Sequence, residues 1–184
     1  MNDLTVQKQS SDGTLVAQEQ QGQYLTFLVG KEKLGISIHE VKEIIEISNI
    51  TRVPMTPDYI RGVINLRGNV VPVVDLSARL SRERSELTKR SCIVLVEIVT
   101  EDESQSIGML VDQVNEILEI PKENIQPAPE FGADIRVEFI QAMGRVDEDF
   151  IILLEISRVL SVTELSQLSR SMNADSLVTE TDSE

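Results

Sequence analysis

The chain has 184 residues, of which 41% are apolar and only 3% are aromatic, so Val, Ile and Leu must fill its core, as is typical of β-structure. Thirty-one acidic and seventeen basic residues give a formal charge of −14, which disfavours nucleic acid and anionic membranes as partners. The single cysteine excludes a disulfide framework, and because the chain also has only one histidine, a zinc site is disfavoured.

Both ends of the chain differ in composition from its middle. Residues 1–22 are rich in Gln, Ser and Asp without an apolar period, and we interpret them as a flexible leader. Residues 171–184 contain four acids and no base, which predicts an acidic, disordered tail. The start lacks the basic and apolar regions of a signal peptide, and no apolar run could span a membrane. We therefore expect a soluble, cytoplasmic protein whose folded part covers residues 23–168.

The first half of the folded part alternates between strand and turn signals. Thr56 followed by Pro57 predicts a short helix that ends near Arg61, while residues 39–47 fit either a helical turn or a strand. The segment Arg67 to Asn69 predicts a hairpin turn, with Gly68 and Asn69 supplying the positive φ. Strands are predicted over residues 24–29, 34–38, 62–66 and 70–74, one helical turn over 75–80, and a mobile connection over 81–90.

The second half shows a similar order of elements. Strands are predicted over residues 92–99, 106–110, 114–120, 139–146 and 150–154, with acidic turns at 100–104 and 147–149. A proline-marked loop separates the third of these strands from the fourth, and an amphipathic segment over 156–168 closes the fold.

The two halves are related by an internal repeat. Residues 35–47 align with 108–120, with identical pairs that include Gly35 and Gly108, Val41 and Val114, and Glu43 and Glu116. Further along, Ile60 corresponds to Ile140, and residues 75–77 correspond to 155–157. A two-fold repeat of short strands predicts two similar small β-barrels, about 23–88 and 89–168, and units this small would stabilise each other.

No pattern of catalytic or metal-ligating residues emerges. The sequence has no phosphate-binding glycine loop, nucleophile elbow or His-Glu-x-x-His motif. We interpret His39 as a solvent-facing residue at a strand end and Cys92 as a buried, inert thiol. The acidic turns do not provide the ordered oxygen ligands of a calcium site. We predict no enzyme activity, no cofactor and no metal.

Three features stand out, although each alone also fits a structural role. Arg67 is placed at a hairpin shoulder between apolar strands, and the alternative is that it braces its own fold by pairing with an acid. Val41 and Glu43 are two apart, so on a strand they would share a face. Pro127 opens a stiff loop that ends in the aromatic Phe131.

Together these segments resemble the CheW family of bacterial chemotaxis coupling proteins. The similarity is in Gly-Ile-x-Ile-x-x-Val-x-Glu-Ile at residues 35–44, in Pro-x-x-Ile-x-Gly-Val-x-Asn-Leu-Arg-Gly-x-Val-x-Pro-Val-x-Asp-Leu at 57–76, and in Gly-x-x-Val-Asp-x-Val at 108–114. It covers about residues 22–165. Asn69 and Cys92 depart from the commonest family pattern, and both departures fall near the implied receptor surface.

The resemblance implies a mainly β fold of two intertwined, SH3-like, five-stranded β-barrels with short helices. It also implies a non-catalytic adaptor that joins the cytoplasmic tip of chemoreceptors to the regulatory domain of the CheA histidine kinase, in arrays at the inner membrane. The family's receptor contacts correspond to Val41, Glu43, Arg67 and Val70. Its kinase contacts correspond to Ile107, Gly108 and Met109, which we expect on a strand edge.

Two alternatives remain at this point. The chain could serve a non-flagellar system, such as one for type IV pili or a second messenger. It could instead be a small-molecule-binding β-barrel, for which metabolites would raise the melting temperature by mass action.

Overall fold

The computed structural model describes residues 22–80, 83–99, 101–128 and 135–160, and these form a mainly β structure. Two four-residue helices, at Leu76–Arg79 and Ile156–Val159, follow the strands β5 and β11 defined below. Short 3-10 helices lie at Ile38–Glu40, Lys122–Asn124 and Val137–Phe139. The strands are β1 (Gln23–Val29), β2 (Glu32–Ser37), β3 (Val41–Glu46), β4 (Ile60–Leu66), β5 (Asn69–Asp75), β6 (Cys92–Val99), β7 (Ser104–Val111), β8 (Gln113–Glu119), β9 (Ile125–Gln126), β10 (Ile140–Val146) and β11 (Asp149–Leu154).

The strands form two sheets, each of which takes strands from both halves of the chain. The first barrel has the order β3-β6-β7-β5-β4, and the second has β8-β1-β2-β11-β10-β9. A bridge between Thr51 and Val63 joins the segment after β3 to β4 and closes the first barrel. The predicted fold class of two intertwined SH3-like barrels is confirmed, with β9 as a sixth strand in the second. A cut between residues 88 and 89 does not separate the sheets.

The sequence repeat corresponds to a structural repeat, because both barrels carry irregularities at matching positions. The pairing of β3 with β6 shifts by one residue between Val41 and Glu43, and β8 shifts against β1 between Val114 and Ile117. The β4–β5 and β10–β11 hairpins shift just after Ile60 and Ile140. Bulges of this kind bend a strand and increase its twist, which helps a short sheet close into a barrel.

The barrels share their largest core. That cluster contains residues of both sheets, including Phe27 and Ile36 of the second barrel and Val94 and Met109 of the first. The two smaller clusters fill the barrel interiors, around Leu95 in the first and around residues such as Ile151 and Leu153 in the second. Because most of the buried apolar surface lies between the barrels, neither barrel could bury its own share alone.

Closure of the first barrel depends on Gly62. Its φ is +144°, and a Cβ atom built there would lie 2.1 Å from the carbonyl oxygen of Thr51. We expect Gly62→Ala to lower the free energy of unfolding by about 2–4 kcal/mol. The alanine backbone would be strained at this φ, and its methyl group would push Thr51 away from β4, so the two costs add together. Gly68→Ala is the control, since φ there is +86° but no atom lies within 4 Å. Equal losses in urea titrations of the two variants would contradict this reasoning.

Three local predictions are wrong. Residues 56–61 do not form a helix: a single turn, in which the Ile60 N–H donates to the Pro57 carbonyl, leads directly into β4. Pairing of the β-branched residues of β4 with β5 outweighs the helix-start signal. The tight hairpin turn uses Arg67 and Gly68, whereas Asn69 already belongs to β5. In the connection predicted to be mobile, Ser85 is buried and bonded to Asp75.

Some elements are clearer than the sequence indicated. The ambiguous residues 39–47 resolve into the end of a 3-10 helix followed by β3, and His39 is exposed as expected. Phe131 of the proline-marked loop and residues 161–168 of the last amphipathic segment lie outside the described residues, as do the leader up to residue 21 and the acidic tail.

Candidate functional site

The β4–β5 turn presents Arg67 in an unusual backbone conformation. Its φ is +53°, and that of Gly68 is +86°, so both residues of this two-residue turn are in the left-handed region. The side-chain oxygen of Asn65 accepts a hydrogen bond of 2.9 Å from the Gly68 N–H and fixes the turn. A bulky non-glycine residue with positive φ costs on the order of 1 kcal/mol, and such strain is commonest at functional sites.

The Arg67 side chain pairs with Glu43 across the closing seam of the first barrel. Its Nη2 donates to both carboxylate oxygens of Glu43, at 3.0 and 3.1 Å. Glu43 pairs in register with Leu95 of the interior cluster, and Ile45 and Leu66 pack on the same cluster, so the ion pair lies over one end of the barrel. Because Arg67 is 71% exposed, the pair stabilises the fold by less than about 1 kcal/mol.

The other two predicted receptor residues are placed differently from each other. Val70 follows the turn on β5 and is 66% exposed, so it is available to a partner. Val41 is half-buried against the core between the barrels. The expectation that Val41 and Glu43 share a face is wrong, because the bulge between them pairs Val41 with Val96 and Glu43 with Leu95, and neighbouring residues of β6 point to opposite faces. Arg67 and Glu43 therefore contact each other, Val70 is exposed on the same hairpin as Arg67, and Val41 lies on the other face of its strand from Glu43.

The predicted kinase residues are not on a strand edge. Ile107, Gly108 and Met109 belong to β7, which lies between β6 and β5 in the middle of its sheet, and all three are buried. Met109 is 0% exposed, so Met109→Asp would unfold the protein rather than test a contact. The reason for the error is that β7 gains a parallel neighbour, β5, from the other half of the chain. The kinase role of these positions stays a prediction, with no exposed side chain to serve it.

Glycine at 108 has a packing reason. A Cβ atom there would lie 2.7 Å from Cγ2 of Ile93 on β6. At Gly35, its counterpart in the repeat, a Cβ atom would lie 3.1 Å from Cδ2 of Leu153, where β2 pairs with its own parallel neighbour, β11. Glycine at these two equivalent positions of the repeat thus reflects the close approach of strands, which is independent of partner binding.

One charged residue that the sequence gave no reason to select lies where the barrels meet. Arg79 lies 4.8 Å from the ring centre of Tyr59 and 5.2 Å from that of Phe139, and its Nε donates to the carbonyl of Val159 at 2.6 Å. Tyr59 and Phe139 are equivalents in the repeat, since they precede Ile60 and Ile140. The alignment of the repeat could have identified this aromatic pair, but not the cation between them.

Glu40 has an unusual environment directly before β3. Burial, with the Glu155 carboxylate as a second cause, raises its pKa to about 7 from an ordinary value of 4.5. Burial and Glu40 in turn raise the pKa of Tyr24 on β1. Glu40 directly precedes β3 of the first barrel and Glu155 directly follows β11 of the second, so their repulsion acts where the barrels meet.

This arrangement predicts a pH-dependent stability. The folded protein retains the Glu40 proton up to about pH 7 whereas the unfolded chain releases it near 4.5, so stability falls as the pH rises between these values. We expect Glu40→Gln to be more stable than the parent protein by roughly 1–3 kcal/mol at pH 8 and nearly equal to it at pH 4.5. Glu46→Gln, at an exposed position of β3, is the control. Urea titrations across this range would contradict the prediction if both variants changed alike.

The described residues show neither a metal site nor a membrane helix. No three His, Cys, Asp or Glu side chains among them converge in the way a metal ion requires. None of the helices in that part of the chain is long and apolar enough to cross a membrane. Cys92 is half-buried, and its thiol lies 3.3 Å from the Arg90 carbonyl oxygen.

A family model described as "CheW-like domain" matches residues 23–164, which include both barrels. The chain belongs to the CheW family. Among its relatives, the chemotaxis protein CheW of Klebsiella aerogenes is 34% identical over 84% of this chain and 88% of its own length. Protein FrzA of Myxococcus xanthus is 31% identical over 86% of this chain and 98% of its own length. The crystal structure of the scaffolding protein TtCheW from Thermoanaerobacter tengcongensis has a TM-score of 0.67 and 32% identity, and covers 73% of this chain and 84% of that one.

These comparisons agree with the resemblance identified from the sequence. The matched residues contain the Asn65–Asp75 block, the bulged strand β3 and the shared core.

Proposed function

We propose that this protein is a non-catalytic adaptor that couples the cytoplasmic tip of chemoreceptors to a CheA-type histidine kinase. The observation that best supports this function is the exposed β4–β5 turn, because it presents the Arg67 guanidinium with its partner Glu43 and, on the same hairpin, the exposed aliphatic side chain of Val70. Such a surface suits a helical receptor tip, which would offer apolar and charged side chains together.

The proposed contact depends on Arg67 exchanging partners. In the free protein its guanidinium binds Glu43, and the exposed pair is weak enough to open at low cost. A receptor carboxylate or carbonyl that binds Arg67 at the desolvated interface would form a charge-assisted hydrogen bond, worth about 1.5–3 kcal/mol. The chain would then act on the cytoplasmic side of the inner membrane, where the receptor tips are.

The direct test is reconstitution with purified components. A receptor cytoplasmic fragment, the kinase and this protein should form a ternary complex in co-sedimentation, and the kinase should respond to the receptor only when the protein is present. Complex formation with the kinase but not the receptor would contradict the coupling role. Failure to bind either partner, together with a melting temperature raised by a metabolite, would instead favour a small-molecule-binding barrel.

The relatives support the adaptor role, but they do not distinguish a system that controls flagella from one that controls another response. Several are named chemotaxis proteins, whereas FrzA carries no such name and is similar over nearly its whole length. The alternative of a non-flagellar system, such as one for type IV pili or a second messenger, is tested by deleting the gene and measuring swimming, surface motility and second-messenger levels in the same strain.

A further inference from the structure

The two barrels differ at one matching end, and this difference points to a second docking surface. In the first barrel, Arg67 of the β4–β5 turn pairs with Glu43 of β3 over the barrel end. In the second barrel, the repeat places Asp147 of the β10–β11 turn at the position of Arg67, and Glu116 of β8 at the position of Glu43. Two carboxylates repel each other, so among the described residues the β10–β11 turn makes no such ion pair with β8.

This end of the second barrel is a groove of about 530 Å³, which we name the β8 groove. Its walls include Glu116 and Leu118 of β8 and Asp147, Asp149 and Phe150 of the hairpin. Phe150 corresponds to Val70 of the first barrel and is 50% exposed, so the groove presents a large apolar side chain to solvent. Leu118 and Val146 pack on the interior cluster below, so the floor of the groove is apolar.

The charges of the groove select its ligand. Four acids line it, against Lys31 and Lys33, and Lys33 lies 4.0 Å from Glu116 at the limit of an ion pair between exposed groups. Such a pair is weak, so Glu116 remains available to a stronger partner. Asp147 has a φ of +55°, like Arg67, and the matching turn therefore holds its carboxylate in a comparable place.

We propose that the β8 groove binds a partner polypeptide that inserts an arginine between Glu116 and Asp147 and packs an adjacent apolar side chain on Phe150. The partner would supply in trans the guanidinium that Arg67 supplies within the chain to the first barrel. Arginine fits better than lysine because its fork can bind two carboxylates at once. This surface is independent of the receptor contact proposed above, since it lies on the other barrel.

The test uses the full chain labelled with ¹⁵N and a helical 14-residue peptide with one arginine flanked by leucines, titrated by NMR. A second peptide replaces the arginine by citrulline, which keeps the shape and removes the charge. We expect the arginine peptide to shift the amides of residues 147–152 and 116–118, and the citrulline peptide to bind at least tenfold more weakly. Equal binding of both peptides, or shifts elsewhere, would overturn the proposal.

Variants of the groove separate this binding from general attraction to an acidic protein. Asp147→Arg should pair with Glu116, close the groove as in the first barrel and abolish binding without lowering the melting temperature. Phe150→Ser tests the apolar contact and should weaken binding at least fivefold. Asp58→Arg makes the same charge change on an exposed loop of the first barrel and should leave the affinity within twofold. Equal losses in Asp147→Arg and Asp58→Arg, or unchanged binding by Asp147→Arg, would contradict the assignment.

Discussion

Replacing Arg67 by Glu is expected to weaken receptor binding by ten- to more than a hundredfold while the melting temperature and kinase affinity stay nearly unchanged. The affinity estimate follows from the loss of a charge-assisted hydrogen bond, about 1.5–3 kcal/mol, at a desolvated interface. The small effect on folding follows from the 71% exposure of Arg67 and from its weak pair with Glu43. Melting curves and both affinities, measured on one preparation, would check the expectation.

A charge exchange distinguishes recognition from closure of the barrel end. The double variant Arg67→Glu with Glu43→Arg restores an ion pair across the seam but reverses its direction. If the receptor recognises the cation at position 67, binding stays lost; if Arg67 only braces the fold, binding returns. Arg67→Asn tests the same point without steric cost, because Asn tolerates the positive φ of this turn. Arg84→Asn, at an exposed position in the connection after β5, is the matched control.

Replacing Asp75 by Ala is expected to lower the free energy of unfolding by about 3–5 kcal/mol, which would be the largest loss for any single charged residue discussed above. Asp75 is 0% exposed and accepts hydrogen bonds from Arg61 Nε at 3.0 Å, from the Ser85 N–H at 2.9 Å and from the Ser85 hydroxyl at 3.1 Å. It also caps the following helix by accepting from the Ala78 N–H at 3.3 Å. Its removal would leave Arg61 without the buried partner of its Nε atom.

The repeat provides the control for this prediction. Glu155 occupies the equivalent position before the second helix, but it is only half-buried and accepts a hydrogen bond from the Ser157 hydroxyl. Since it also repels Glu40, we expect Glu155→Ala to change stability by less than about 1 kcal/mol. The Glu155 side chain makes no capping hydrogen bond, so similar losses in Asp75→Ala and Glu155→Ala, measured by urea unfolding, would contradict the dominant role of the hydrogen bonds to Asp75.

Local signals were sufficient for much of the fold. Alternating apolar residues located most strands, and Cys92–Val99 matches its predicted range. The repeat of Glu43 with Glu116 and of Ile60 with Ile140 predicted two equivalent units, because strands with the same pattern make the same pairings. The hairpin turn was predicted at the right place, but its two central residues are Arg67 and Gly68 and not Gly68 and Asn69. Nothing in the sequence indicates that an arginine adopts the left-handed region.

Features that depend on distant partners were not predicted. The bulge beside Lys42 separates the faces of Val41 and Glu43, but nothing within β3 indicates it, because the register is set by β6. Met109 was expected at an edge because alternation along β7 cannot reveal the parallel pairing of Val74 with Met109. The pairing of Arg67 with Glu43 depends on barrel closure, and so was left open as one alternative.

The exchange of strands between the barrels constrains how the chain can fold during synthesis. β1 and β2 leave the ribosome first, yet the hydrogen bonds between Thr26 and Glu116 join residues that are 90 positions apart. The first barrel, by contrast, can close its sheet once β7 has emerged. The second sheet must wait for the C-terminal strands, so β1 and β2 remain without their outer partners for most of translation. Folding is then limited by late, long-range pairing. The unpaired edges of β1 and β2 are exposed until then, and a chaperone would be needed there.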